Sequence, residues 1–317
     1  MKLVAVVPNK FLPVPPAREG ERLDAGLAKM LGMSRTQVAE LIDSGKVLVN
    51  GALVDKATKL YSSQLIEIDL ESTEVVLEVT AEDVPELAVV FQDSDIVVID
   101  KPAGVVSHPS LGFEGPSVPG VLLARGISLS TSGAHERQGI VQRLDVGTSG
   151  LMVLAKSERA YSVLKQAFRD RVVKKTYHAL VQGHPDPASG TIDTPIARST
   201  KHDYKFTISQ AGKRAITHYQ TLELLPTAAL MEVGLETGRT HQIRVHFSHF
   251  RHPLVGDLLY GADPKIAQKL NLDRQWLHAV ALGFEHPISG ESMSFSSEYP
   301  ADLAKSLDAL RNPEFRL

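Results

Sequence analysis

The chain has 317 residues, 43% hydrophobic and 22% charged, a composition that suits about two globular domains and excludes wholesale disorder, collagen-like repeats and coiled coil. Its 34 basic and 37 acidic residues give a net charge of -3, which argues against a nonspecific nucleic-acid coat but leaves room for a local basic groove. There is no cysteine, so disulfides, thiolate nucleophiles and cysteine-ligated metal clusters are excluded.

Residues 1–16 carry prolines at 8, 13, 15 and 16 and are expected to form an extended lead-in. The apolar stretch in MKLVAVVPNK is too short for a signal-peptide core, and no apolar run reaches the ~18 residues of a membrane span. A cytoplasmic monomer with no membrane association is expected. From residue 18 the pattern is helical, with Leu23, Leu27, Met30 and Leu31 on one stripe. Ser34 and Gln37 have capping-box spacing and open a second helix, whose apolar positions are Val38, Leu41 and Ile42 and which Gly45 stops. KVLVN and ALVDK read as strands around an Asn50-Gly51 hairpin turn, and LIEIDL adds another. Residues 17–70 thus form a small helix–helix–hairpin α+β module. Residues 71–87, holding six acids and no Lys or Arg, read as an acidic linker.

Residues 88–317 read as a second domain, rich in strands. LAVVFQ, IVVIDK, LMVLAK, TYHALVQG, ITHYQTLEL and LMEVGLET are the expected strands. One helix covers 157–170 and another starts near Thr240, a suitable N-cap. Runs of strands broken by occasional helices favour an α+β fold with a central mixed, mostly antiparallel β-sheet and flanking helices and loops.

Reactive side chains concentrate in three stretches. In residues 139–157, Arg143 and Asp145 lie between apolar runs, so Asp145 occupies a loop displayed by a sheet. A turn-capping Asp is the plain alternative. In residues 174–183, Tyr177 shares a strand face with Ala179 and Val181, either to lie over a flat ring or simply to fill the core. Residues 236–253 hold Arg239, Arg244 and Arg251 together with His241, His246, His249 and His252. No metal site is expected there: His246 and His249 form the only helical pair, and H-E-x-x-H is absent. A basic surface tracking phosphates fits better. In the first module Arg22, Arg35 and Lys46 are the corresponding phosphate-binding candidates, against a simple solvated charged surface.

The stretch RLDAGLAKMLGMSRTQVAELIDSGKVLVNGALV resembles the S-four RNA-binding domain through Arg22, Leu23, Asp24, Ser34, Arg35, Ile42, Gly45, Val47, Val49, Asn50 and Gly51. Ser63-Gln64 stands where that domain usually has Gly-Asp. Further on, QRLDVGTSG, KKTYHALV and GRTHQIRVH occur in order and resemble the motifs of RluA-type pseudouridine synthases, supported by VIDKPAGVVSHP (98–109) and HPLVGDLLYG (252–261). With the first module, the arrangement is similar to RluD-like synthases of large-subunit ribosomal RNA. One departure is Gln142, where the family has His before Arg-Leu-Asp.

The resemblance implies isomerisation of uridine to pseudouridine in RNA, most simply large-subunit ribosomal RNA, with no cofactor. It implies that Asp145 is the catalytic carboxylate, as nucleophile at the anomeric carbon or as base at the neighbouring carbon. It also implies that Arg244 pairs with Asp145, that Tyr177 packs on the target base and that Arg143 holds or replaces the flipped nucleotide. Arg239, Arg22, Arg35 and Lys46 would bind RNA. A non-catalytic RNA-binding or ribosome-assembly factor on the same scaffold is the alternative, with Gln142 its only support. A glycosidic-bond hydrolase would need a second acid that the motifs do not supply.

Overall fold

The computed structural model describes residues 10–31, 34–69, 87–109, 115–133, 138–200, 202, 204–312 and 314–315. The chain divides into two compact units, residues 1–78 and 79–317. The acidic stretch 71–86 lies outside the described residues, while Leu87 is fully buried in the core of the second unit.

The first unit contains β1 (Lys10–Pro13), α1 (Leu23–Leu31), α2 (Arg35–Asp43), β2 (Val47–Val49), β3 (Ala52–Leu53) and β4 (Leu65–Ile68). Its strands are antiparallel in the order β1-β4-β2-β3. Strand β1 replaces part of the expected irregular lead-in; it lies at a sheet edge, where Pro13 at its end removes no needed ladder donor. Both halves of the Ser34/Gln37 capping box form. Val38 and Ile42, four apart, meet Leu23 and Leu27 in the core, as helical period requires. Asn50 (φ 52°) and Gly51 (φ 78°) are both left-handed, the conformation that a two-residue hairpin of the right twist demands. At the Ser63-Gln64 departure the Gln64 side chain accepts from the Tyr61 N–H at 2.9 Å and closes the turn.

The second unit is built on one sheet. Its elements are β5 (Ala88–Gln92), β6 (Ile96–Lys101), α3 (Val118–Ala124), β7 (Ser149–Ala155), α4 (Glu158–Arg169), β8 (Lys174–Gln182) and β9 (Ser189–Asp193), then the hairpin β10 (Ile196–Arg198) and β11 (Phe206–Ile208). After these come β12 (Ile216–Leu224), β13 (Ala228–Leu235), α5 (Gln242–His249), α6 (Pro264–Lys269), β14 (Leu277–Glu285), β15 (Ser292–Ser296) and α7 (Ala301–Arg311). The sheet order is β5-β6-β7-β14-β8-β13-β12-β9, with β15 paired to β14. The β7–β14 pair is parallel and every other pair in this sheet is antiparallel.

Alternation along the strands sorts their side chains onto two faces. Val97, Ile99, Met152, Leu154, Tyr177, Ala179 and Val181 pack with Val121 of α3 and with Ile243 and Phe247 of α5. On the other face Ile96, Val98, Leu151 and Val153 meet Ala160, Tyr161 and Leu164 of α4. Leu180 and Trp276 pack against Leu303, Leu307 and Leu310 of α7. The nine-residue β14 sits mid-sheet although Ala279, Ala281 and Gly283 give it little strand propensity.

The parallel contact is short, with His278 opposite Ser149 and Ala279 opposite Gly150. A Cβ on Gly150 (φ +115°) would lie 2.4 Å from the Ala279 carbonyl oxygen. Gly150→Ala is therefore expected to destabilise the protein by at least about 3 kcal/mol. Urea unfolding within about 1 kcal/mol of wild type would disprove this close approach.

Candidate active site

Asp145 stands on the loop before β7, as its place between apolar runs predicts. That loop is held from several elements. The Ser107 hydroxyl donates to the Leu144 carbonyl (2.7 Å) and accepts from the Leu144 N–H (2.8 Å). The Gly104 N–H donates to the Val146 carbonyl at 2.9 Å, and Arg274 Nη1 donates to the Gly147 carbonyl at 2.9 Å. Gln275 Nε2 donates to Thr148 Oγ1 at 3.1 Å. The fully buried Lys101 ammonium donates to the carbonyls of Pro102 and Val105 (2.8 Å each) and Val146 (3.4 Å), matching its three N–H bonds. Burial pulls the Lys101 pKa down to about 7, while the charge of Asp145 opposes that shift.

Arg244, from the first turn of α5, spans two carboxylates. Its Nε and Nη2 bind both oxygens of Asp257 at 2.7 and 2.9 Å, and its Nη1 donates to Asp145 Oδ2 at 3.1 Å. The guanidinium also lies over the Tyr260 ring, 4.9 Å from its centroid. Burial lowers the guanidinium pKa, but Asp257 and then Asp145 outweigh it, so the net shift is upward. Asp257 is buried and belongs to the HPLVGDLLYG segment. Its role is not legible in sequence, because the partner lies thirteen residues away on another element. The Asp145 Oδ1 atom accepts no hydrogen bond among the described residues.

Beside this triad is an open cleft. Tyr177, Leu235, Ile243 and Leu277 supply apolar wall, and Asp145 and His241 supply polar edge. Tyr177 is buried, and among the described residues nothing hydrogen-bonds its hydroxyl. Burial and then the Asp145 charge push its pKa up, so the phenol stays protonated. The cleft thus sets a flat ring beside a fixed carboxylate.

Arg143 and Arg239 line the same cleft. The Arg143 guanidinium hydrogen-bonds Thr240 Oγ1, and Arg239 Nε donates to the Arg214 carbonyl at 3.0 Å. Thr240 does not cap α5. The helix starts two residues later at Gln242, and its N-cap is His241, whose backbone is left-handed (φ 56°). The Gln242 side chain ties the turn instead: Oε1 accepts from Thr237 Oγ1 (2.7 Å) and the Arg239 N–H (3.0 Å), and Nε2 donates to the Ile216 carbonyl (2.9 Å). His246 is a core residue, bonded to Thr217 Oγ1 at 2.9 Å and the Thr194 carbonyl at 3.1 Å. Among the described residues no group of three or more His, Cys, Asp or Glu is gathered to hold a metal ion. At the family departure, the Gln142 carboxamide nitrogen is buried without an acceptor among the described residues.

Comparison with known proteins decides the family. The chain matches the RNA pseudouridylate synthase family over residues 95–249 and the S4 domain over residues 21–62. It is 54% identical over 303 residues to an uncharacterized RNA pseudouridine synthase of Mycobacterium bovis, covering 96% of this chain and 98% of that protein. It is 42% identical over 294 residues to ribosomal large subunit pseudouridine synthase D of Zymomonas mobilis, covering 90% and 92% of the two chains. Among solved structures, human RNA pseudouridylate synthase domain containing 4 aligns with a TM-score of 0.56 at 29% identity, over 71% of this chain and 93% of that one.

The chain belongs to the RNA pseudouridine synthase family. It is an RNA-modifying enzyme with an S4 domain, and RNA is its partner. Among the described residues of the synthase no helix is long and apolar enough to cross a membrane.

In the S4 unit, Arg22 and Arg35 are exposed and converge on one buried carboxylate. Arg22 Nε binds Asp24 Oδ1 at 3.1 Å, and Arg35 Nη2 binds Asp24 Oδ2 at 2.7 Å. Lys46 precedes β2 directly, at the end of the turn after α2. The three cations belong to a different unit from the cleft residues. The Arg22 hydrogen bond, with help from Arg35 and against burial, lowers the Asp24 pKa to about 2.

Because the folded carboxyl of Asp24 titrates below its ordinary value, its stabilisation is present above pH ~4 and is lost as the pH falls toward 2. Asp24→Asn is expected to flatten the fall in S4-unit stability across that window, followed by urea unfolding at stepped pH; an unchanged slope would refute it. In the catalytic unit, Asp257→Ala leaves the buried Arg244 with one partner and is expected to cost about 3–5 kcal/mol. Equal chemical stability of variant and wild type would show that the triad does not hold the site together.

Proposed function

We propose that this synthase isomerises specific uridines of large-subunit ribosomal RNA, with Asp145 as the reacting carboxylate. The observation that carries the reading is Asp145 tethered at 3.1 Å to a guanidinium that Asp257 grips from behind, beside a cleft walled by Tyr177. The relatives named ribosomal large subunit pseudouridine synthase D support the choice of RNA.

In the reaction the bond from C1′ to N1 of uracil breaks, the base turns, and C5 bonds to C1′. C5 loses a proton and N1 gains one, with no net oxidation and no hydrolysis, so the chemistry itself calls for no cofactor. Arg244 aims the carboxylate through a charge-assisted hydrogen bond. Asp145 Oδ1, without a protein partner, then attacks C1′ or removes a proton from C2′; both routes need the same placement. Tyr177 stacks on the uracil, and its raised pKa makes it a poor base without a change on substrate binding. The target nucleotide must leave its stack, at a cost of a few kcal/mol. Arg143 and Arg239 at the cleft, and Arg22, Arg35 and Lys46 of the S4 unit, contribute phosphate contacts that offset it.

The test is pseudouridine mapping of cellular ribosomal RNA with and without the gene, and after complementation with Asp145→Asn. Specific large-subunit sites are expected to vanish without the gene and to stay unmodified, by at least about a thousandfold in rate, with the folded variant. Restored modification by Asp145→Asn would remove Asp145 from the chemistry. An unchanged map would remove ribosomal RNA as the substrate.

A further inference from the structure

The residue at the head of α5 has a role that the site geometry leaves open. His241 adopts a left-handed backbone (φ 56°), uncommon for non-glycine residues but one in which histidine, like asparagine, is enriched. Its ring is held from two sides, edge-on to Phe206 and to Tyr260 with centroids 5.6 Å away in each case. Nδ1 lies 2.7 Å from the Tyr260 hydroxyl. That hydroxyl accepts the Phe206 N–H at 3.0 Å, and its own proton has no acceptor but His241 Nδ1 among the described residues. Nδ1 is therefore the acceptor, and Nε2 carries the imidazole hydrogen. Burial lowers the pKa of the ring, which agrees with a neutral imidazole.

Nε2–H faces the cleft. It lies 4.0 Å from Asp145 Oδ2, beyond hydrogen-bond distance, and makes no hydrogen bond among the described residues. An outward donor and an outward acceptor 4.0 Å apart form a two-point site for a group that both accepts and donates. An oxygen ~2.8 Å from each atom subtends an angle of about 90° between them, which suits a hydroxyl accepting from the imidazole and donating to the carboxylate. Within a polynucleotide, the 3′ and 5′ oxygens are esterified, so the free hydroxyl beside the reacting C1′ is the 2′-OH.

We propose that His241 Nε2 and Asp145 Oδ2 together hold the 2′-hydroxyl of the target ribose. This rests on the reading of Asp145 as the reacting carboxylate. The site makes His241 a specificity-determining residue. The same contact brings C1′ and C2′ toward the free Asp145 Oδ1, and a nucleotide without the hydroxyl leaves both the donor and the acceptor without their partner.

The test uses the full chain and synthetic fragments spanning a mapped site, with either uridine or 2′-deoxyuridine at the target position alone. Equilibrium binding reads the comparison, because the isomerised product retains its hydroxyl. Wild type is expected to bind the ribonucleotide fragment about fivefold to tenfold more tightly. In His241→Asn, whose short amide tolerates the left-handed backbone and still meets Tyr260, the ratio is expected to fall within twofold of unity. Tyr260→Phe frees Nδ1 to take the hydrogen and is expected to reduce the ratio while keeping the ring on Arg244; it serves as well if the Asn variant melts early. An unchanged ratio in folded His241→Asn overturns the proposal. So does equal binding of both fragments by wild type, which would mean that only water fills the position. Wild type that modifies no ribosomal RNA overturns the substrate reading instead, whereas an active wild type with an unchanged ratio in the variant overturns the hydroxyl site alone.

Discussion

A carboxylate at the edge of an apolar cleft has to be partnered and aimed, and a buried cation has to be compensated. Arg244 meets both demands. On its own, Asp145 beside an apolar cleft would swing toward water. A lone arginine in the same place would be an uncompensated buried cation. Asp257 takes the rigid fork of the guanidinium through Nε and Nη2, which leaves Nη1 fixed in direction for Asp145. The Tyr260 ring supports the cation and also bonds His241. Carboxylate, cation and imidazole are therefore positioned by one contiguous set of contacts.

The loop that presents Asp145 is short of internal hydrogen bonds and is clamped from outside. Ser107, Gly104, Lys101, Arg274 and Gln275 reach it from the end of β6 and the segment after it, and from the segment before β14, the two strands that flank β7. Arg274 is itself fixed by Asp302 of α7 through two bonds of 2.6 and 3.0 Å. The C-terminal helix thus acts on the loop at the Gly147 carbonyl, although it contributes nothing to the cleft lining. Several separate hydrogen bonds from neighbouring segments thus hold this one loop.

Local signals made the S4 unit legible: a capping box, a helical stripe and an Asn-Gly turn each act within a few residues. Asp145, Tyr177 and Arg244 were legible as motifs, and their gathering into one site follows from strand alternation in β8 and from the start of α5. What the sequence hid depends on distant partners. Strand β14 is rich in alanine and glycine because close packing against β7 and β8, not strand propensity, stabilises it. Asp257 and Lys101 look like ordinary loop and strand-end residues until the fold closes around them. The helix boundary moved from Thr240 to Gln242 because Thr240 hydrogen-bonds Arg143, while Gln242 satisfies the turn.

The partner RNA is a polyanion. The triad of Asp145, Arg244 and Asp257 carries one net negative charge, and the cleft that holds it is also lined by Arg143 and Arg239. At the scale of the cleft the balance is therefore positive, despite a chain whose acidic residues outnumber its basic ones. The S4 unit repeats the logic on its surface: Asp24 gathers Arg22 and Arg35 into one place at the expense of one charge, and the pair remains net positive. In both places a carboxylate serves to organise arginines as much as to neutralise them. Phosphates can then be attracted to fixed guanidinium groups while Asp145 Oδ1 stays without a partner among the described residues.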